Sequence, residues 1–385
     1  MRVVGFGDLT ALMKIIDDVI LSRPVFPAFV MLGAAFGAFA AYVPDIKSQI
    51  SATDGVLGLA MFISAIGSVI TMWLAPKLDV LLGRRAIVIL MGVFGGVFLI
   101  PTFAPVLAVF TVGMIVTSSI AGTTDVIMNA RLSQIESRNG VTLMGLNHAA
   151  FSFAYAISAV IAGLTRGAGI SAGQYALGVL VLIGLLVWMT SVPAKTSTAP
   201  QDDDAQVSVP WAIVVVPGFA IMVAFMTELA SEAWSALHIE RVLLASAEMS
   251  ALGPAILGAT MGVGRLAGQY MLQNVNELKI VRLGAIMSAI GALAAAHGAG
   301  PVFVYSGFAM LGAGVSVMVP MLFSHVGKVT PEHLRTQAIS RVAVIGYIGF
   351  FLGPPMMGFL SELGTLSTSF TAIAALLIAV TVVLR

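Results

Sequence analysis

Cysteine is absent from this 385-residue chain, and charge is scarce: Asp, Glu, Lys and Arg together make up 10% of it. The first absence excludes a disulfide framework, a thiolate metal site and a cysteine nucleophile. The second excludes an ordinary soluble domain, in which about a quarter of the residues are charged. A net charge of +1 offers no basic surface to a nucleic acid. The motifs of soluble chemistry are missing too, with no phosphate-cradling Gly-rich loop, no HExxH, no GxSxG and no paired His/Cys metal spacing. "GVGRLAG" has the glycines of a dinucleotide loop but no strand before it. The expectation is therefore no enzyme and no cofactor.

What fills the space is apolar: 59% of the residues are hydrophobic. The 40 glycines and 16 prolines sit inside long apolar runs, where membrane helices tolerate them and small residues permit close contact. A spanning helix needs about 20 mostly apolar residues. Twelve runs meet that need: 24–46, 55–78, 86–104, 106–130, 141–164, 173–193, 210–236, 250–273, 280–297, 301–325, 336–360 and 364–384. Pro24, Pro44, Pro105, Pro193, Pro210, Pro301 and Gly364 punctuate their ends.

With both termini placed in the cytoplasm, fourteen of the 19 Lys and Arg residues fall on the inside, three fall outside (Lys47, Arg166, Arg241) and two, Arg265 and Arg341, fall within spans. That bias fits the positive-inside rule. Residues 1–23 are no cleavable signal, because Asp8, Asp17 and Asp18 interrupt any apolar stretch. Phe6, Leu9, Met13, Ile16 and Ile20 recur at helical spacing, as in an amphipathic helix on the inner surface; a frayed leader is the alternative.

The long polar interruption, "KTSTAPQDDDAQ", lies in a linker at 194–209. It divides a 24–193 half of six spans from a 210–385 half of six. The halves echo one another weakly, with "LDVLLGRR" after the second span and "LQNVNELKIVR" after the eighth, as in transporters built from internal repeats. Spans three, six, nine and twelve carry no charge in their apolar bodies, whereas Asp125, Glu228, Glu232, Arg265 and Arg341 lie in the others. Charges in a bilayer face protein or a wet cavity, so every third helix reads as outer support and the remaining eight are free to surround a pathway.

Twelve spans, the six-plus-six split, "DVLLGRR" and the charge-free third helices together resemble the major facilitator superfamily. "FGAFAAYVPDIKSQI", "DVIMNARLSQIE" followed by "LMGLNHAAFS", "EAWSALHI" followed by "GRLAGQ", and "ISRVAVIGYIGFFLGPPMMGFLSE" are similar to its YbjJ-like, fucose-permease-related branch. That branch includes MosC-type proteins linked to rhizopines, which are amino-cyclitols. The resemblance implies an all-α membrane protein that works by alternating access to a site near the bilayer midplane, between two six-helix bundles.

Within the spans, "MTELASEAWSAL" (226–237) carries Glu228 and Glu232, which lie four residues apart on one helical face, with no countercharge in the same run until Arg241. Two like charges about 6 Å apart in a low dielectric repel, which suits a group that binds and releases a proton. Glu228, deeper by about 6 Å of helix rise, is the expected proton-coupling and substrate-binding carboxylate; Glu232 and Trp234 are placed nearer the outer mouth. Asp125 and His148 lie at matched depth in spans four and five, with Asn129 and Asn147 nearby. They form either a proton relay or a polar brace. Arg265 and Arg341 are expected near the inner surface, organising a gate with Asp79, Arg84 and Arg85. Asp45 and Lys47 are read as a solvated helix end or a vestibule. Phe36, Phe39, Tyr42, Tyr155 and Tyr347 stand on helices that could line a cavity, where rings stack on a sugar-like face or simply pack.

The resulting expectation is a proton-coupled secondary transporter of a bacterial inner membrane that moves a sugar, polyol or amino-cyclitol. The alternatives are a proton-driven exporter of a hydrophobic or cationic compound, and a non-transporting receptor or scaffold. The expected partners are a small-molecule substrate, protons and the lipid bilayer, without nucleic acid, and the chain is expected to act as a monomer.

Overall fold

The computed structural model describes residues 6–190, 210–271 and 275–384, and every regular element among them is helical. The first half comprises α1 (Phe6–Ser22), α2 (Phe26–Gln49), α3 (Asp54–Met72), α4 (Ala75–Leu82), α5 (Ala86–Val97), α6 (Leu99–Thr102), α7 (Leu107–Asn139), α8 (Met144–Gly167) and α9 (Ala172–Leu186). The second comprises α10 (Trp211–Leu243), α11 (Ala247–Met271), α12 (Glu277–His297), α13 (Pro301–Val329), α14 (Arg335–Leu363) and α15 (Leu366–Val383). The expected 194–209 linker lies outside the described residues.

Local chemistry explains the breaks. Thr53 caps α3, its hydroxyl accepting from the Val56 amide, and Asn276 caps α12 through the Lys279 amide. Ser171 and Gln174 form a reciprocal capping box at the start of α9. Gly140, in the left-handed region at φ +65°, ends α7 where a side chain would be strained.

Eleven helical stretches among the described residues are long and apolar enough to cross a membrane. The remaining expected run, at 250–273, coincides with α11, which is helical throughout but carries Glu248, Arg265 and Gln269. Its polarity keeps it out of the eleven. The third run also differs from expectation: it begins at Ala75 and ends at Thr102, because "DVLLGRR" folds into α4 and a tight 3₁₀ turn, Gly83–Arg85, that leads straight into α5. Helices α7 and α10 each run for 33 residues. That is about 50 Å, well beyond a hydrocarbon core of about 30 Å, so their charged ends reach past it.

The two halves repeat one packing plan. In the first, α2 lies on α8, α3 on α7 and α5 on α9; in the second, α10 lies on α14, α11 on α13 and α12 on α15. Small residues allow the equivalent contacts: a Cβ at Gly37 would sit 2.1 Å from the Tyr155 carbonyl oxygen, and one at Gly349 would sit 2.1 Å from that of Met222. Across the halves, α8 packs on α11, α3 on α14 and α2 on α10. The helices carrying Glu228, Arg265 and His148 therefore meet along the central seam. At α1, Met13, Ile16 and Ile20 are exposed along one face, as an amphipathic helix requires.

Candidate functional site

Where α7, α8, α10 and α11 converge, polar side chains form a network that crosses from one half to the other. Arg265 of α11 donates from Nη2 to Glu228 Oε1 of α10 at 2.5 Å. Its Nη1 donates to Ser152 Oγ of α8 and lies 3.5 Å from the His148 carbonyl oxygen. The His148 ring meets Asn129 of α7, Nε2 to Oδ1, at 3.2 Å. Asn129 in turn donates from Nδ2 to Asp125 Oδ1 at 3.0 Å. A one-turn step along α10 leads to Glu232, whose backbone carbonyl accepts from Tyr155 Oη of α8 at 3.2 Å. Carboxylates from both halves are thus joined through the Arg265 guanidinium, the Ser152 hydroxyl, His148, which offers its backbone carbonyl to one side and its ring to the other, and the Asn129 amide.

This arrangement bears on three expectations. Arg265 pairs with Glu228 and not with the Asp79 cluster expected as its gate partner: its stem carries the charge to Glu228, because a guanidinium in a low dielectric is stabilised most by a carboxylate at its own depth. Glu228 is therefore not the uncompensated acid of its stretch. Glu232 has no ion pair among the described residues, although it stands one turn from Glu228. Asp125 and His148 are brought together, with Asn129 as the link between them.

The aromatic candidates divide. Tyr347 is partly exposed and stacks at 5.7 Å on Phe225, which itself lies 4.4 Å from Phe350, so α10 and α14 present an aromatic stack near Asp125. Phe36 packs on Phe151 at 6.1 Å, and Phe39 sits half-buried in the apolar core. Tyr42 is buried at the far end of α2, donating to the Ile170 carbonyl oxygen at 2.9 Å, so it holds α2 to the α8–α9 turn. Trp234 corrects the reading that placed it at a membrane interface. It is fully buried in the core of the second half, because α10 is enclosed by its neighbours at that point.

Two clusters absent from the expected site tie the halves together at one end. Asp54 at the start of α3 receives both Arg241 nitrogens, at 2.5 and 2.8 Å, together with Ser361 Oγ at 2.8 Å and Lys47 at 3.1 Å. Glu362 accepts from the neighbouring Gly55 amide at 2.8 Å. Beside it, Arg166 bridges Asp45 of its own half, at 2.6 Å, and Glu240 of the other, at 2.9 Å. One signal could have found them: Lys47, Arg166 and Arg241 are the only Lys or Arg residues assigned to the outer loops, and all three are used here.

At the opposite end the expected gate is arranged differently. Asp79 pairs with Arg131 of α7, in its own half, at 2.6 Å, and Arg131 also donates to the Gly83 carbonyl oxygen at 2.6 Å. Arg84 and Arg85 are exposed on the turn, and Arg341 is half-buried near the start of α14. Among the described residues, no cluster of His, Cys, Asp or Glu could hold a metal ion.

A family model for the Major Facilitator Superfamily matches residues 25–333 and 218–385. An uncharacterised MFS-type transporter of Yersinia pestis is 29% identical over 368 residues, covering 92% of each chain. Membrane protein MosC of Rhizobium meliloti is 24% identical over 339 residues, covering 87% of this chain and 82% of MosC. Among solved structures, a variant of the nucleoside transporter NupG superposes with a TM-score of 0.75 at 13% identity, covering 95% of this chain and 98% of NupG. A D-xylose-proton symporter gives 0.72 at 13% identity, covering 96% and 97%.

Proposed function

The chain belongs to the Major Facilitator Superfamily, a family of multi-pass membrane transporters and not of enzymes, and from that premise we propose that it is a proton-coupled carrier of a small polar solute. The solute class is a sugar, polyol or amino-cyclitol. The architecture that serves this reading is twelve spans in two bundles of six, counting α11 as the eighth, with both termini on the cytoplasmic side of a bacterial inner membrane. The fourteen-to-three distribution of Lys and Arg supports that orientation. In it the Asp54 and Arg166 clusters face outward, and the described state is closed to the outside.

The observation that carries the proposal is the network across the halves, in which Asp125 and His148 on one side reach Arg265 and Glu228 on the other. A charged network at the seam between two moving bodies links their contact to the charge state of its members. Because Arg265 already compensates Glu228 and Glu232 has no ion pair among the described residues, a proton on Glu232 changes the charge of the group without breaking an ion pair. Glu232 is the coupling carboxylate, and Glu228 with Arg265 sets its surroundings. The fold shared with a D-xylose-proton symporter is in keeping with the solute class and the coupling.

Proteoliposomes with an acidic exterior test the reading with labelled xylose, inositol and an amino-cyclitol. Accumulation that a protonophore collapses is expected for at least one of them. Glu232→Gln keeps exchange of labelled for unlabelled solute and loses accumulation. If Glu232→Gln and Glu228→Gln both accumulate solute like the parent, the coupling assignment is wrong. The Phe225, Phe350 and Tyr347 stack favours a second reading, export of an aromatic or hydrophobic cation. Reversing the gradient in the same vesicles separates the two.

A further inference from the structure

Helix α10 carries a second polar face that the carboxylates do not use. The side-chain atoms Ser231 Oγ, Trp234 Nε1, Ser235 Oγ and His238 Nδ1 are all buried, and none has a hydrogen-bond partner among the described residues. Their spacing of three, one and three residues places them on one stripe of the helix. A buried polar atom without a partner costs about 1–3 kcal/mol, so four on one stripe point to something that satisfies them together.

The chemistry of the four atoms identifies that something. His238 Nε2 lies 2.9 Å from the Ala295 carbonyl oxygen, which only accepts, so Nε2 holds the ring proton and Nδ1 is left as an acceptor. Trp234 Nε1 only donates, and each serine hydroxyl does both. Side chains three or four residues apart on a helix are neighbours, so waters seated along the stripe can bridge from one polar atom to the next. A ligand that donates, accepts and bridges at that spacing is water.

We propose that Ser231, Trp234, Ser235 and His238 bind a short file of internal waters inside the second half of the protein. The file begins beside the carboxylates, since Ser231 follows Glu228 by three residues and Ser235 follows Glu232 by three. It ends at His238, where the edges of Phe370 and Phe308 close over the ring at 4.9 and 6.2 Å. It is a closed branch, not a passage to the far side, so it extends hydration along the helix from the carboxylates without leaking protons across the protein. The serines are positioning residues in this account, and the site stands independently of whether transport is proton-coupled.

X-ray-generated hydroxyl radicals, formed from bound water and read out by mass spectrometry, test the file on the purified full-length protein. After correction for intrinsic reactivity, Trp234 and His238 are expected to be oxidised roughly fivefold faster than Phe308 and Phe370, which are equally buried. Equal rates overturn the proposal. The double variant Ser231→Ala, Ser235→Ala should lower the Trp234 and His238 rates severalfold; unchanged rates in a folded variant also overturn it. The labelling needs neither solute nor gradient. A failure of proton coupling therefore leaves the file standing, and a dry stripe leaves the coupling standing.

Discussion

At one end of the molecule Asp54 gathers Arg241 and Ser361 from the opposite half, and Arg166 reaches Glu240. At the other end Asp79–Arg131 and Glu277–Lys328 each close within a single half. The first kind of pair exists only while the halves touch at that end, so any separation of the halves there breaks it. The second kind can persist through any relative motion of the halves. Burial separates the leading pair of each kind: the Arg241 side chain is 41% exposed, where water can replace its partner, whereas Arg131 is 4% exposed. The minor pairs cross that line, with Arg166 at 7% and Lys328 at 63%.

Arg131→Met presses hardest on the sealed side. It leaves Asp79 facing the Gly83 turn without its cation, and breaking a buried pair from one side costs about 3 kcal/mol. A clear fall in melting temperature is expected, with no change in the separation of the halves. Because the parent chain has no cysteine, spin labels can be placed at will. The pair Leu81→Cys with Val329→Cys reports this end, and a shifted distance there in Arg131→Met would show that the Asp79 pair is a gate after all.

Asp54→Ala is the counterpart at the clasped end. It strands Arg241 and Lys47 together, but the exposure of Arg241 discounts the cost to about 2 kcal/mol, or roughly thirtyfold in the ratio of closed to open forms. Labels at Ile170→Cys and Leu244→Cys, on opposite halves and both exposed, should move apart while the melting temperature changes little. An unmoved distance would reduce the Asp54 cluster to a static brace.

Much of this architecture was legible in the residues and some was not, for a physical reason. Helices declare themselves through runs of apolar side chains, which is a local property; α11 is the informative exception, its Arg265 lowering the local signal because it belongs to a site. Charges inside spans marked Glu228, Glu232, Asp125 and Arg265 as costly and therefore purposeful. What periodicity cannot carry is pairing over long separations. Arg241 and Asp54 are 187 residues apart, Gly55 and Glu362 are 307 apart, and each has its partner only because two separate bundles meet. Trp234 misled for the same reason: a tryptophan near the end of an apolar run resembles an interface marker until the neighbours that enclose it are known.

A milder test of the breakable side is Glu240→Gln. Arg166 keeps Asp45 of its own half at 2.6 Å and Ser250 Oγ of the other half at 3.0 Å, so the link across the halves is weakened but not removed. About 0.5–1 kcal/mol is expected for a partly exposed pair. The ratio of closed to open forms, read from the same labels, should fall a few-fold at low salt. Added salt should shrink the difference between variant and parent, since it screens the pair that the parent still has. A salt-independent difference would mean that Glu240 acts through packing and not through charge.

Lys328→Ala should do least, and that is its value. Its partner Glu277 sits at the start of α12, where the helix N-terminus already favours a negative charge, and Ser324 Oγ also approaches the carboxylate at 3.3 Å. The lysine is 63% exposed, so the pair contributes within about 0.5 kcal/mol. Neither the melting temperature nor the distance at either end should change measurably. This pair matches the Arg131 pair in staying within one half and differs from it in burial, so the two variants together separate the variables. If Lys328→Ala destabilises the protein as much as Arg131→Met, burial is not what distinguishes a lasting pair from a breakable one, and topology alone must carry the contrast between the ends.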